Sequence, residues 1–356
     1  MTTQFTTTVK PSGGDYTSLN DAVTKLQNDL TLTTIKVFSI SAYSTPTIAA
    51  GDTVLGQSSG ATGVCVLVNA ARTQLLIKTI AVASFLSGEV VQKVAVPTIN
   101  VTLSNNGDSP IIGIECYSMS DTIQTIINGY TTNSTNYIRI YGAPSDRTSL
   151  NTGIWSTERY RLETVELTTT SAIDIRTDYV RIENLQISTT QNLNHGNCIQ
   201  IREYYINTPS EIRINGNIMK GIVSGNYYNF AMSISDGTVY IYNNIIYGFF
   251  IDNIYDIYKM GIYFESQLET AYVYNNTIYG CQNGFYQVAG TVILINNISY
   301  NNIINYVGTF VASNYNLSGP QQANAPGLNS RNGPDMFVTF INEANNNFHI
   351  SPNDIG

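Results

Sequence analysis

A five-residue pattern that returns five times between Val180 and Asn296 restricts this chain to few architectures. The copies occupy residues 180–184, 212–216, 239–243, 271–275 and 292–296, and they align without gaps. Each copy alternates apolar and variable residues, which is the period of a β-strand with one buried face. A strand that recurs at intervals of 21 to 32 residues predicts a solenoid of stacked repeats rather than a set of hairpins.

Each copy of the pattern ends at a residue that favours a sharp bend. The last positions are Asn184, Gly216, Asn243, Asn275 and Asn296, and in three copies a second asparagine follows. Asn and Gly tolerate the left-handed backbone conformation that tight bends require. Strand and bend together predict an all-β fold, specifically a right-handed parallel β-helix.

The composition favours strands and argues against several classes of function. Charged residues make up 12% of the 356 residues, whereas tyrosine alone contributes 25 positions, and tyrosine is enriched in strands. The net charge is −8 without any cluster of Lys and Arg, so we expect no nucleic-acid partner. Cys65, Cys116, Cys198 and Cys281 lack the spacing of zinc or redox motifs. We therefore expect buried free thiols, no metal site and no cofactor.

The N-terminal sequence and the hydropathy pattern bear on location. Residues 1–10 show no basic segment followed by an apolar stretch, and no run of 18 apolar residues occurs in the chain. These features predict neither a signal peptide nor membrane insertion. A surface rich in Asn, Thr and Tyr nevertheless has extracellular character. A virus particle assembled inside a cell and released by lysis reconciles the two, so we expect a location on the virion surface or outside the cell.

Four regions are predicted along the chain. Residues 1–44 form an N-terminal cap and first repeat, because Leu19, Ala22 and Val23 follow a Thr/Ser N-cap at helical spacing. Residues 45–108 form an inserted small β module, residues 109–320 the parallel β-helix, and residues 321–356 the closing strands. A capping helix is expected because an open solenoid end would expose apolar side chains and strand edges.

Several segments of the chain resemble known proteins. The opening, with Gly13-Gly-Asp-Tyr16 between a strand and a helix, resembles the N-terminal cap of pectate-lyase-like right-handed β-helix proteins. The insert, with Gly51-Asp-Thr-Val-Leu55, Ser58-Ser-Gly-Ala-Thr-Gly63 and Gly88-Glu-Val-Val-Gln92, resembles modules of phage structural proteins. Residues 132–141 and 178–187 are similar to β-helix proteins of phage and environmental genomes. This resemblance implies the fold and, because those proteins differ in function, no particular activity.

Carboxylates and one arginine are the candidates for catalysis. Asp252 and Asp256 follow Gly248, and Glu265 lies beyond the next strand, so adjacent repeats could assemble a two-carboxylate glycosidase site. Asp174 lies two residues before Arg176, as an ion pair or as part of a lyase-like site. The chain has no P-loop, and His195-Gly-Asn197 is the nearest match to a polygalacturonase motif. Charged residues that only solvate turns are commoner than catalytic ones.

The strongest functional signal is a surface rather than a site. If the apolar residues of the five copies point inward, the residues between them point outward. Down the stack these pairs change from charged to aromatic to aliphatic: Arg181/Glu183, Arg213/Asn215, Tyr240/Tyr242, Tyr272/Tyr274 and Ile293/Ile295. An exposed apolar patch of this kind usually marks a protein interface. Cover by residues 249–260 or 320–356 of the same chain is the alternative, and tyrosine rows also suit sugar stacking.

These observations lead to two functional hypotheses. The first is a virion structural protein, such as a phage-like tail fibre, spike or capsid decoration. We expect it to associate with itself as a homotrimer and with other virion proteins. The second is a tailspike-type depolymerase or lyase that acts on a host surface polysaccharide through the carboxylates named above. A cellular adhesin is disfavoured because neither an export signal nor an anchor is visible in the sequence.

Overall fold

The structure is a computed structural model of an all-β chain. It describes residues 1–80, 83–144, 153–165, 171–191, 196–202, 211–223, 228–250, 258–265, 268–320, 324–333 and 335–354. The described part contains a single α-helix, and many of its strands pair in parallel in large sheets.

The elements of the first 142 residues, in chain order, are β1 (Thr2–Val9), α1 (Leu19–Lys25), β2 (Ile35–Tyr43), β3 (Thr53–Gly56), β4 (Thr62–Val68), β5 (Gln74–Thr79), β6 (Val90–Lys93), β7 (Val96–Leu103), β8 (Ser109–Cys116), β9 (Met119–Asp121), β10 (Thr125–Ile127) and β11 (Ile138–Gly142). Further on follow β12 (Tyr160–Val165), β13 (Ser171–Ile175), β14 (Val180–Glu183), β15 (Gln186–Gln191), β16 (Gly196–Ile201), β17 (Ile212–Asn215), β18 (Ile218–Val223), β19 (Asn229–Ile234), β20 (Thr238–Tyr242), β21 (Ile245–Tyr247) and β22 (Lys259–Phe264). The last elements are β23 (Thr270–Tyr274), β24 (Thr277–Tyr279), β25 (Asn283–Gln287), β26 (Thr291–Ile295), β27 (Ile298–Tyr300), β28 (Ile304–Val307), β29 (Leu317–Gly319), β30 (Arg331–Asn332), β31 (Phe340–Asn342), a 3-10 turn (Glu343–Asn345) and β32 (Asn347–Ile350).

The chain divides into two compact units. Unit 1 comprises residues 1–115 and 129–140, and unit 2 comprises residues 116–128 and 141–356. In unit 1, helix α1 begins where the sequence predicted, because the Ser18 side chain accepts a hydrogen bond from the backbone N–H of Asp21. The helix buries Leu19, Ala22 and Val23, the apolar positions that predicted it.

Unit 1 contains a closed barrel of six strands in the order β2-β5-β4-β3-β6-β7, with antiparallel pairing. Its strands run from Ile35 to Leu103, whereas the predicted insert was residues 45–108, so β2 is shared with the first predicted region. The Glu89 carboxylate is buried and accepts hydrogen bonds from the backbone N–H and the hydroxyl of Ser59. This contact joins the Ser58–Gly63 and Gly88–Gln92 motifs, which sequence analysis had noted without a structural reason.

Unit 2 consists of repeats with three strands each. Sheet 1 contains β14-β17-β20-β23-β26, sheet 2 contains β9-β12-β15-β18-β21-β24-β27-β29-β30, and sheet 3 contains β10-β13-β16-β19-β22-β25-β28. Neighbours within a sheet pair in parallel, and from β9 to β28 they are separated in sequence by strands of the other two sheets. Each strand therefore lies beside its counterpart from the next repeat. This arrangement is consistent with a β-helix-like fold.

The inward register of sheet 1 is the one predicted. Strand pairing places Ile214 beside Ile241 and Ile241 beside Val273, so the apolar positions of successive copies form stacked columns. All of the predicted inward residues are fully buried: Val180, Ile182, Ile212, Ile214, Val239, Ile241, Val273, Val292 and Leu294. The predicted core of the repeats is confirmed.

The bends after sheet 1 explain both asparagines of each doublet. All five predicted bend residues have left-handed backbones, with φ of 56° at Asn184, 65° at Gly216, 57° at Asn243, 55° at Asn275 and 58° at Asn296. The next residue turns inward, and in the last four copies it is an asparagine. Together with Asn316, which follows the left-handed Tyr315, these residues form a buried column that we call the asparagine ladder: Asn217, Asn244, Asn276, Asn297 and Asn316. Neighbouring members bond directly, with Asn276 Nδ2 donating to Asn297 Oδ1 at 3.0 Å. The ladder satisfies backbone groups at every bend.

The C-terminal hairpin β31–β32 packs on the outer face of sheet 2. Phe348 lies 4.5 Å from Tyr279 and 5.1 Å from Tyr247, and Phe340 lies 5.7 Å from Tyr300, measured between ring centroids. The hairpin thus covers aromatic side chains that sheet 2 would otherwise expose, which removes apolar surface from water.

All four cysteines are buried and free, as expected from their spacing. Burial raises the pKa of the Cys198 thiol to about 12 and that of Cys281 to about 12. These two thiols therefore remain protonated and unreactive at neutral pH.

Candidate functional site: the outer faces of the sheets

The outer face of sheet 1 presents the predicted rows of aromatic and aliphatic side chains. Pairing places Tyr240 beside Tyr272 and Tyr272 beside Ile293, and it places Tyr242 beside Tyr274 in the second row. The rings of Tyr240 and Tyr272 stack with centroids 4.9 Å apart and planes inclined by 14°. All six predicted interface residues are half-buried, because neighbours in a row cover one another while the outer surface stays accessible.

The part of this face that β14 and β17 form carries ion pairs. Glu211 Oε1 accepts a hydrogen bond from Arg213 Nε at 2.6 Å and lies 4.0 Å from Arg181 Nη2. The Glu211 carboxylate raises the pKa of the Arg213 guanidinium, which lies 5.6 Å above the ring of Tyr240. The face therefore changes along the stack from paired charges to stacked rings to aliphatic side chains.

The described part of the chain shows what the C-terminal segment covers. The side chains of Val338, Phe340 and Phe348 belong to one cluster with residues of sheet 2, such as Tyr247 and Tyr300. The alternative that residues 320–356 lie over the tyrosine rows of sheet 1 is thus not supported by these contacts. Residues 251–257, part of the other candidate cover, lie outside the described residues. The interface on sheet 1 stays a prediction.

Asp174 and Arg176, two of the catalytic candidates, form an ion-paired group on sheet 3. The Asp174 side chain is fully buried, and its Oδ2 lies 2.6 Å from Arg176 Nη2 and 2.8 Å from Arg202 Nε. Arg202 comes from the following repeat, since Ile175 pairs with Ile201. Both guanidinium groups engage the same buried carboxylate, so the geometry favours the ion-pair interpretation of this motif.

Glu265, a third candidate, accepts a hydrogen bond from the Ser233 hydroxyl on the neighbouring strand of sheet 3. Beside it runs a row of rings that sequence analysis did not identify. Phe230 and Tyr263 have centroids 4.8 Å apart, and Tyr263 and Tyr286 have centroids 5.8 Å apart. Burial and the Glu265 charge raise the pKa of the Tyr263 hydroxyl. A row of rings next to a carboxylate offers both stacking and hydrogen bonding to a sugar.

The other residues singled out in the sequence, Asp252, Asp256 and His195, lie outside the described residues. The predicted grouping of Asp252 and Asp256 with Glu265 therefore stays a prediction. Among the side chains that are described, no three His, Cys, Asp or Glu residues are grouped so as to hold a metal ion.

Comparison with known proteins finds no matching family model, no similar curated protein and no similar solved structure. In the described part of the chain, no helix has the length and apolar character needed to cross a membrane. Any functional conclusion therefore depends on the outer faces themselves.

Proposed function

We propose that the repeat region is a right-handed parallel β-helix and that the protein is a virion structural component, a phage-like fibre, spike or capsid decoration, which assembles through the outer face of sheet 1. The main support for this proposal is the pair of outward-facing rows of tyrosines on sheet 1 that end in Ile293 and Ile295. Outward isoleucines gain little in water, whereas burial against another chain would remove apolar surface from solvent. A homotrimer with one such face per copy is the proposed assembly.

The size of the face sets the expected strength of association. Five strands at about 4.8 Å and about 3.3 Å per residue give a face of roughly 20 by 15 Å. Stable interfaces bury about 800 Å² per partner, so the sheet 1 face alone is small. We therefore expect assembly that depends on protein concentration and is strengthened by contacts with other virion proteins.

Replacing Tyr272 and Ile293 together with aspartate should abolish self-association. The change places two like charges per copy in the centre of the proposed interface, where desolvation and repulsion oppose binding. Analytical ultracentrifugation over a wide range of protein concentration should show oligomers for the natural protein and a monomer for the variant, with unchanged circular dichroism.

The matched control replaces Tyr286 and Val288, which lie in and beside β25 of sheet 3, with aspartate. This variant carries the same added charge on another face, and it should assemble like the natural protein. Normal assembly of the Tyr272→Asp/Ile293→Asp variant, or a monomeric natural protein at every concentration, would exclude the proposed interface.

A second candidate function is cleavage of a surface polysaccharide, favoured by the ring row beside Glu265. Under the structural proposal, incubation with host capsular or cell-wall polysaccharide should release neither reducing nor unsaturated ends. Cleavage that is lost in Glu265→Gln but kept in Glu269→Gln, a change of an exposed carboxylate nearby, would instead favour the depolymerase.

A further inference from the structure

Two adjoining cavities in unit 2 follow the edge where sheet 1 bends into sheet 2. Their volumes are about 530 and 310 Å³, and Ile350 lines both. One side is formed by the bend asparagines, including Asn243, Asn275 and Asn296, and the other by residues of β32 such as Phe348. We call this space the asparagine trough. Its volume falls in the range of small-molecule sites.

The amide groups of the bend asparagines face the trough with hydrogen-bonding capacity to spare. Asn243 Nδ2 donates to Asn215 Oδ1 at 3.2 Å, and Asn296 Nδ2 donates to Asn275 Oδ1 at 2.7 Å. Asn243, Asn275 and Asn296 are exposed, and the contacts of the described residues engage neither Asn243 Oδ1 nor Asn275 Nδ2. An acceptor and a donor on adjacent repeats, whose strands lie about 4.8 Å apart, are therefore available to a ligand in the trough.

The larger cavity offers little charge to a ligand. Among the described residues that line it, His349 is the titratable one, and burial lowers the pKa of its imidazole. His349 is therefore neutral at neutral pH. Arg331 and Asp354 lie in the smaller cavity and have opposite charges. A strongly charged ligand would lose hydration in the larger cavity without gaining a counter-charge.

Apolar side chains also line the larger cavity: Phe348 and Ile350 come from β32, across from the bend asparagines, and Ile245 comes from β21. One polar and one apolar side suit a ligand that carries hydroxyl groups on one edge and C–H groups on another. An extended peptide fits less well, because its groups on one side repeat at about 6.6 Å, two residues of about 3.3 Å, rather than 4.8 Å.

We propose that the asparagine trough binds a neutral oligosaccharide. The site is distinct from the sheet 1 interface and from the ring row on sheet 3, and its existence does not depend on self-association. Asn243 and Asn275 provide amide contacts to hydroxyl groups, while the β32 side chains contact the apolar face of the sugar ring.

The test uses a panel of neutral hexasaccharides of α- and β-linked glucose, galactose and mannose, with oligogalacturonate of equal length as the acidic comparison. Isothermal titration should detect binding of at least one neutral member and none of oligogalacturonate. Replacing Asn243 and Asn275 with glycine removes both amides while retaining a residue suited to positive φ. Loss of their hydrogen bonds should weaken binding by about tenfold or more.

Asn301→Gly is the matched control, because Asn301 is also exposed with a φ of 55° but does not line the trough. It should bind like the natural protein. The proposal is overturned if no neutral hexasaccharide binds, if the double glycine variant binds unchanged, or if oligogalacturonate binds more tightly. Stronger binding of an uncharged extended peptide would assign the trough to peptides instead.

Discussion

Replacing Ile241 with aspartate should destabilise unit 2 by several kcal/mol at neutral pH. Ile241 is fully buried between Ile214 and Val273 of the neighbouring strands. A carboxylate at this position would lack a counter-charge and hydrogen-bond donors, and burial without such partners is among the most destabilising single changes known. Because each repeat contacts its immediate neighbours, damage in the middle of the stack interrupts the whole array. Urea unfolding followed by circular dichroism measures the loss.

The pH dependence identifies the cause of this loss. Burial disfavours the ionised form, so the folded-state pKa of the introduced carboxyl should lie above its unfolded value of about 3.9. Stability is then retained below that unfolded pKa and falls as pH rises towards the folded pKa, by about 1.4 kcal/mol per pH unit. The Ile241→Asn variant carries a neutral side chain of the same size as aspartate, so its stability should not change with pH in this way. Equal stability of the aspartate variant and the natural protein at neutral pH would contradict the inward register.

The sequence was sufficient to predict sheet 1 because its signals are local. The alternation of apolar and variable residues in 239–243 indicates which side chains are buried. Asn243 indicates the bend because asparagine tolerates the left-handed backbone conformation. The same reasoning applies to Ser18, whose side chain caps the helix that follows it. In each case a residue and its near neighbours in sequence determine the local structure.

Sheet 3 could not be predicted in this way. Every side chain of β13 is buried, so no alternation distinguishes its inner from its outer face. The grouping of Asp174 with Arg202 joins residues 28 positions apart and depends on the register between repeats. The ring row of Phe230, Tyr263 and Tyr286 likewise exists only once three repeats are stacked.

The position of the C-terminal hairpin and the role of the asparagine ladder could not be predicted, for the same physical reason. Closing strands were predicted in residues 321–356, but the sequence gives no indication of which sheet Phe340 and Phe348 cover. The second asparagine of each doublet is indistinguishable from a solvated turn residue until the neighbouring bend lies about 4.8 Å away. Contacts between repeats, rather than propensities within them, determine these features.

The ladder leads to the second large effect, a loss of at least about 3 kcal/mol when Asn276 is replaced with leucine. Asn276 Nδ2 donates to the backbone carbonyls of Ile241 at 2.9 Å and Tyr274 at 3.0 Å. Its Oδ1 accepts from the backbone N–H of Asn244 at 3.0 Å. Leucine preserves the volume but removes these bonds, and each buried group left without a partner costs about 1–3 kcal/mol. Denaturant unfolding of the variant should show a lower midpoint.

The control variant Asn275→Gly, one residue earlier, distinguishes the contribution of the buried ladder to stability from that of the exposed bend residue. Asn275 is exposed and has a φ of 55°, which glycine adopts without strain, so this change should alter stability by only a few tenths of a kcal/mol. The loss of unfolding free energy in Asn276→Leu should thus exceed that in Asn275→Gly by at least about tenfold, although the two positions are neighbours. Similar small effects at both positions would mean that water satisfies the backbone groups at the bends. The ladder would then stabilise the stack no more than the exposed row beside it.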